Sequence, residues 1–257
     1  MDGTLAAEIF ALLLVLGLWI VVLRDAWRAW QPARLLLSGR YGEARTAAQR
    51  LERSWLRVFP GVRRSARHAI GCALHLEGDL EGSLAALAPL HDEKLRGNMR
   101  YAICSVDAAN LILLDRDHAR ANALLEEAAA IHRPPEDVLL AAHAKHGLGE
   151  ASAAATLFAE AGTDRSRDRS VHAGGVLLVE DRRQQEAIFH ALRGLYLVKT
   201  GLSAEAQRDL DVAAKSPITN VYVERARAMR KARDVEPADP RSSLAPQIVT
   251  NVIAADE

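Results

Sequence analysis

The hydrophobic pattern of this chain changes character several times along its length. Residues 5–23 read LAAEIFALLLVLGLWIVVL, nineteen residues with Glu8 as the one charge and no polar face. Such a run predicts one helix roughly 28 Å long, about the thickness of the hydrocarbon core of a bilayer. From residue 34 onward, apolar side chains recur at spacings of three and four, the signature of amphipathic helices. The period is lost over residues 162–183, GTDRSRDRSVHAGGVLLVEDRR, where the polar first part predicts a loop and residues 176–179 could dock or become a short helix. Helical spacing then resumes, and residues 218–233 (ITNVYVERARAMRKAR) predict an amphipathic helix that caps the array. Pro237, Pro240 and Pro246 forbid regular helix further on, so residues 234–257 are expected to be a disordered tail.

The first apolar run has three readings. A cleaved signal peptide opens on positive residues and ends at small residues before the cut. Here the opening is acidic and the run passes into VVLRDAWRAW. A buried helix in a soluble core would show a polar face. The expectation is therefore a retained transmembrane helix over 5–23, after a short N-terminus of residues 1–4. Trp19, Trp27 and Trp30 then suit the headgroup belt. No Lys or Arg precedes the run, whereas Arg24, Arg28, Arg34 and Arg40 follow it. The positive-inside rule places the N-terminus outside and the remainder in the cytoplasm, a single-pass protein of the plasma (inner) membrane. Residues 24–33 become a basic juxtamembrane linker, with Arg24 and Arg28 at the lipid interface.

The helical part repeats itself. GRYGEA from residue 39, GDLEGS from 78, GEASAA from 149 and GLSAEA from 201 share a glycine followed five residues later by alanine or serine. RDHARA from residue 116 fits with arginine in the glycine place. A further apolar pair follows each: Ala48 and Leu51, Leu87 and Leu90, Leu125 and Ala128, Phe158 and Ala161, Leu210 and Ala213. Gly71 and Gly194 stand seven residues before two of the turns, where a missing side chain lets helices approach closely. This pattern resembles the tetratricopeptide repeat, a helix–turn–helix unit with small residues at matching places; Pro134 and Pro217 fall where that family carries its terminal proline. The resemblance covers about residues 34–233. It departs from the family in its turn-to-turn spacings of 39, 38, 33 and 52, against a period of 34, and in lacking the aromatic near the start of the first helix. The expected fold is all-α: the transmembrane helix followed by a solenoid of about five such hairpins over 34–217. A non-repetitive helical bundle would share the alanine periodicity.

Composition narrows the partners. The 257 residues carry 33 basic and 33 acidic side chains, a balance unlike that of a general nucleic-acid binder. The neutral sum hides a basic segment: residues 24–67 hold eleven arginines against Asp25, Glu43 and Glu52. Two cysteines exclude a disulfide framework, and 49% hydrophobic residues exclude a mainly disordered chain. Arginine outnumbers lysine 28 to 5, a bias of GC-rich coding that points to a bacterial source.

No phosphate-binding loop, dinucleotide fingerprint, G-x-S-x-G or H-E-x-x-H motif is present, and no enzyme activity or cofactor is predicted. The nearest constellation is His68, Cys72 and His75, which share one helix face at i, i+4 and i+7 and could offer soft metal ligands, with His143 or His146 supplying a fourth. The tetratricopeptide resemblance implies another role for the same residues. In that family the first helix of each unit lines a concave groove. Carried over, those positions are Ser65, His68, Cys72 and His75, then Ile103, Val106, Asn110 and Leu113. Glu136, Leu139, His143 and His146 follow, and Ile188, Ala191, Leu195 and Val198 complete the set. The resemblance implies a partly polar groove for an extended peptide or a helix of a protein partner. The layout is similar to that of bacterial envelope proteins that join one span to such repeats and serve as adaptors in assembly or regulation. A metal- or ligand-binding regulator built on His68, Cys72 and His75 is the competing class.

Overall fold

The computed structural model describes residues 3–164 and 182–235, with side chains described from Val15 onward at most positions of the first helix. All regular structure among these residues is helical. The elements are α1 (Gly3–Leu37), α2 (Tyr41–Arg53), a 3₁₀ turn (Trp55–Val58), α3 (Pro60–Glu77), α4 (Leu80–His91), α5 (Gly97–Leu113) and α6 (His118–Ala129). Then come α7 (Pro135–Gly147), α8 (Ala151–Asp164), α9 (Arg182–Lys199), α10 (Ser203–Ala214) and α11 (Val221–Val235).

Five helical hairpins, α1/α2 through α9/α10, are joined by turns of one kind. Gly39, Gly78, Gly149 and Gly201 all have φ between 74° and 91°. A left-handed residue here ends a helix by folding the chain back on its own last carbonyls. Each glycine N–H donates to the carbonyl three residues earlier, and the next N–H to the carbonyl five earlier; at Gly78 these acceptors are His75 and Leu74. The turn after α5 uses the same bonds, Asp115 to Ile112 and Arg116 to Leu111. Its left-handed residues are Asp115 and Asp117, φ 55° and 38°, rather than Arg116, because this turn is one residue longer. The small position after every turn is sealed: Ala44, Ser83, Ala121, Ala154 and Ala206 have no exposed surface. Gly71 faces Leu87 and Gly194 faces Leu210, the close approaches those glycines permit.

The two helices of a hairpin are buried unequally. In α5 every residue from Tyr101 to Leu113 is buried, whereas α6 buries Ala121, Leu124, Leu125 and Ala128 along one stripe. The reason lies in how the first helices meet. α3 touches α5, α5 touches α7, α7 touches α9, α9 touches α11, and α11 returns to α3. These five helices close a ring, with the second helices outside it. α11 thus does more than cap α10; it also crosses to the far end of the array.

Two expectations for the N-terminal region are corrected. Among the described residues no helix is long and apolar enough to cross a membrane, so the transmembrane helix over 5–23 and the single-pass plasma-membrane location fall. The side chains of residues 5–14 lie outside the described set. Residues 24–33, read as a linker, are helical and continuous with α1, which packs on α2 and α3. Of the tail, Asp234 and Val235 belong to α11 and residues 236–257 lie outside the described residues; so do residues 165–181 of the expected insertion.

Candidate functional site

Where α3, α5 and α11 meet, polar side chains form a chain of hydrogen bonds in the core. Asn110 Oδ1 lies 2.7 Å from His75 Nδ1, and the Tyr222 hydroxyl lies 2.9 Å from His75 Nε2. Asn110 Nδ2 donates to Ser83 Oγ at 2.9 Å, and Ser83 donates in turn to the Gly71 carbonyl at 2.8 Å. The amide oxygen requires a hydrogen on Nδ1; burial keeps the imidazole neutral, so Nε2 accepts from the Tyr222 O–H. His75, Asn110 and Ser83 are fully buried, and the rings of His75 and Tyr222 meet edge-on at 5.4 Å.

The sequence builds this socket locally. Gly71 lets α4 come close enough for Ser83 to reach the α3 backbone. Ser83 is the one hydroxyl among the five small positions after the turns. On the other side Asn220 caps α11, its Oδ1 accepting from the Tyr222 and Val223 N–H groups, which aims Tyr222 inward.

Burial governs the electrostatics. It depresses the His75 pKa to about 4, with the Asn110 bond opposing and the Arg225 charge assisting. It raises that of Tyr222, as does the nearby carboxylate of Asp137, while Arg225 works against both. Asp137, on the first turn of α7, accepts from the hydroxyls of Tyr101 at 2.8 Å and Ser105 at 2.6 Å. Desolvation still outweighs these bonds and, with Glu136 adding repulsion, pushes Asp137 up to about 7.

The expected groove residues mostly lie inside the ring wall. Only Ser65 is exposed. His68 and Cys72 are buried, with His68 Nε2 3.3 Å from Cys72 Sγ. Burial holds His68 near 4 and pushes the Cys72 thiol up to about 12, the Asp107 charge adding to it, so Cys72 stays protonated. His143 is buried and donates from Nε2 to the Leu192 carbonyl at 2.9 Å, while the half-buried His146 packs on Tyr196. Leu113, Ile103, Val106, Leu139, Ile188, Ala191 and Leu195 are core residues. Glu136 and Val198 are half-buried. Among these residues the structure links His75 with Asn110.

The metal reading is corrected too. Among the described residues no group of three or more His, Cys, Asp or Glu side chains could hold a metal ion. His68, Cys72 and His75 share a helix face, but both His75 nitrogens are engaged by Asn110 and Tyr222 while His68 turns to Cys72.

The residues expected at a membrane interface lie on α1. Trp19, Trp27 and Trp30 are each about 60% exposed, and the Arg34 guanidinium sits 5.3 Å from the Trp27 ring centroid. Trp27, Trp30 and Arg34 line a cleft of about 350 Å³ that extends to Ser38 and Arg40. Arg24 and Arg28 flank the buried Asp25 at 3.3 and 3.7 Å.

Comparison with known protein families, curated proteins and solved structures finds no match. The resemblance to tetratricopeptide repeats therefore stands on the sequence pattern alone. Sequence reasoning missed Tyr222, Ser83, Asp137, Tyr101 and Ser105. One signal for Tyr222 was available: a hydroxyl-bearing ring in the apolar stripe of residues 221, 223 and 226 needs a partner once that stripe is buried.

Proposed function

We propose that this chain is an adaptor or scaffold whose inner face receives an amphipathic helix from a protein or peptide partner. The observation that carries the reading is α11 itself. An amphipathic helix from a distant part of the chain lies against the inner helices, with Tyr222 inserted into a socket made by His75, Asn110 and Ser83. A surface that takes one helix by apolar contact plus a directed hydrogen bond has what helix-in-groove recognition requires. The neutral His75 imidazole acts as the acceptor.

The test uses a fluorescent peptide of residues 218–235 and the full chain carrying Tyr222→Ala and Ala226→Asp, which drive its own α11 off the face. Saturable binding is expected. It should be lost when His75→Leu is added, since that change removes the acceptor for the peptide's tyrosine. No binding, or binding indifferent to His75→Leu, would sink the reading.

A further inference from the structure

The ring is closed by an element held unevenly. In α11 the buried side chains are Val221, Tyr222, Val223 and Ala226, all within its first six residues; Glu224, Ala228, Lys231 and Ala232 are exposed. Its ties to the neighbouring chain are local. Arg227 donates to the carbonyls of Ala214 at 3.2 Å and Ser216 at 2.6 Å, and Arg230 pairs with Asp211 at 3.0 Å. Its tie across the ring is different in kind. The Tyr222–His75 bond spans 147 residues of sequence, and Val221 packs against the Gly78 turn beside it. The local ties hold α11 to α10 and the connector before it, so they survive if α11 leaves α3. What is lost is one neutral hydrogen bond, the edge-on contact of the Tyr222 and His75 rings at 5.4 Å, and the contact of Val221 with the Gly78 turn. The socket left behind is polar: His75, Asn110 and Ser83 keep one another partnered, and water can take the place of the tyrosine hydroxyl. Opening at this seam is therefore cheaper than opening any hairpin, whose interface is an apolar stripe.

From this asymmetry we infer that α11 is a displaceable latch on the inner face. It pivots on the α10 side, and its place at α3 is taken by a partner helix presenting the same chemistry. That partner carries a tyrosine flanked by small apolar residues at the positions of Val221, Val223 and Ala226. The inference rests on the adaptor reading and adds its regulation: a linked segment competes at high effective concentration, so the free protein is closed and a partner must outbid its own α11. The amphipathic pattern of residues 221–226 is then both a lock and a template for the ligand.

Two measurements on the full chain test the latch separately from the adaptor reading. The first is amide hydrogen exchange in residues 221–226. Protection there should be lower than in α5, and Tyr222→Phe, which keeps the ring but removes the donor, should lower it further by roughly tenfold. The second uses a reversible lock. A Cβ built on Gly78 lies 3.9 Å from Val221 Cβ, within the range of a disulfide; the left-handed φ of 91° costs a cysteine there about 1–2 kcal/mol, a cost common to the oxidised and reduced forms that are compared. The native thiols, Cys72 and Cys104, are both buried. The Gly78→Cys, Val221→Cys protein should bind the labelled 218–235 peptide only after reduction. Peptide binding of equal strength to oxidised and reduced forms overturns the latch, as does exchange in α11 no faster than in α5 in both wild type and Tyr222→Phe. If α11 exchanges fast and Tyr222→Phe accelerates it, yet the peptide binds no form, the latch stands and the adaptor reading fails.

Discussion

Asp137 accepts from two hydroxyls and, among the described residues, pairs with no cation, which leaves its charge poorly compensated. Its pKa is pushed from an ordinary 3.8 to about 7 by burial. A carboxyl raised in this way is best tolerated protonated. Its penalty is absent below about pH 4 and grows as pH rises to about 7, reaching about 4 kcal/mol above that. Asp137→Asn should therefore leave stability at pH 4 nearly unchanged and raise it by a few kcal/mol at pH 8, read from urea unfolding at both values. An equal effect at the two pH values would show that ionisation is not the cause. No sequence pattern marks this group: Asp137 sits in the first turn of α7, where an acidic residue is ordinary. Its burial comes from Tyr101 and Ser105, over thirty residues away. Individual polar contacts were illegible for that reason, and Ser83 was read as a substitute for alanine when its hydroxyl is what bridges Asn110 to α3.

Among the elements, the hairpins were the most legible feature, because a left-handed turn and a sealed small residue leave marks within six positions. The glycine before the turn makes a checkable distinction. A Cβ at Gly71 would lie 2.5 Å from Leu87 side-chain carbons, and one at Gly194 would lie 2.8 Å from Leu210. Gly71→Ala should cost about 1–3 kcal/mol through overpacking, despite the gain in helix propensity. Gly61, in the same helix, has nothing within 4 Å, so Gly61→Ala should be neutral or stabilising by up to about 1 kcal/mol. Thermal melts of the two variants side by side decide this; equal losses would mean that the close approach of α3 and α4 carries no energy. The first helix shows the limit of a local reading: an apolar run says nothing of α1 continuing through Arg24, Asp25 and Arg28 to pack on α2 and α3. The third turn was placed one residue late, since Asp115 adopts a conformation usually left to glycine.

Over the whole molecule, ring closure converts a predicted groove into an interior. Periodicity assigned α11 its amphipathic face but could not say that the face points at α3, because no local pattern encodes a contact between residues so far apart. Closure also sets the response to acid. His68, His75 and His143 are each lowered from 6.5 to about 4 by burial, so their contribution is complete above pH 6.5 and is lost as pH falls toward 4. Asp137 acts in the opposite sense between about 4 and 7. Near pH 5 unfolding should take up about three protons on histidines and release one from Asp137, a net uptake of about two. Stability should then fall by roughly 3 kcal/mol for each pH unit of acidification. Urea midpoints between pH 6 and 4.5 give this slope directly, and a flat or rising profile would contradict the burial of the three imidazoles.

The 147 residues between His75 and Tyr222 also have a meaning in time. A ribosome adding about 5–20 residues per second needs roughly 7 to 30 s to make the second partner after the first has emerged. Throughout that interval α3 to α10 can pair hairpin by hairpin, while the socket stays open and wet. The newborn chain thus passes through the open state of the proposed latch, in which a partner helix matching α11 would meet the socket without competition.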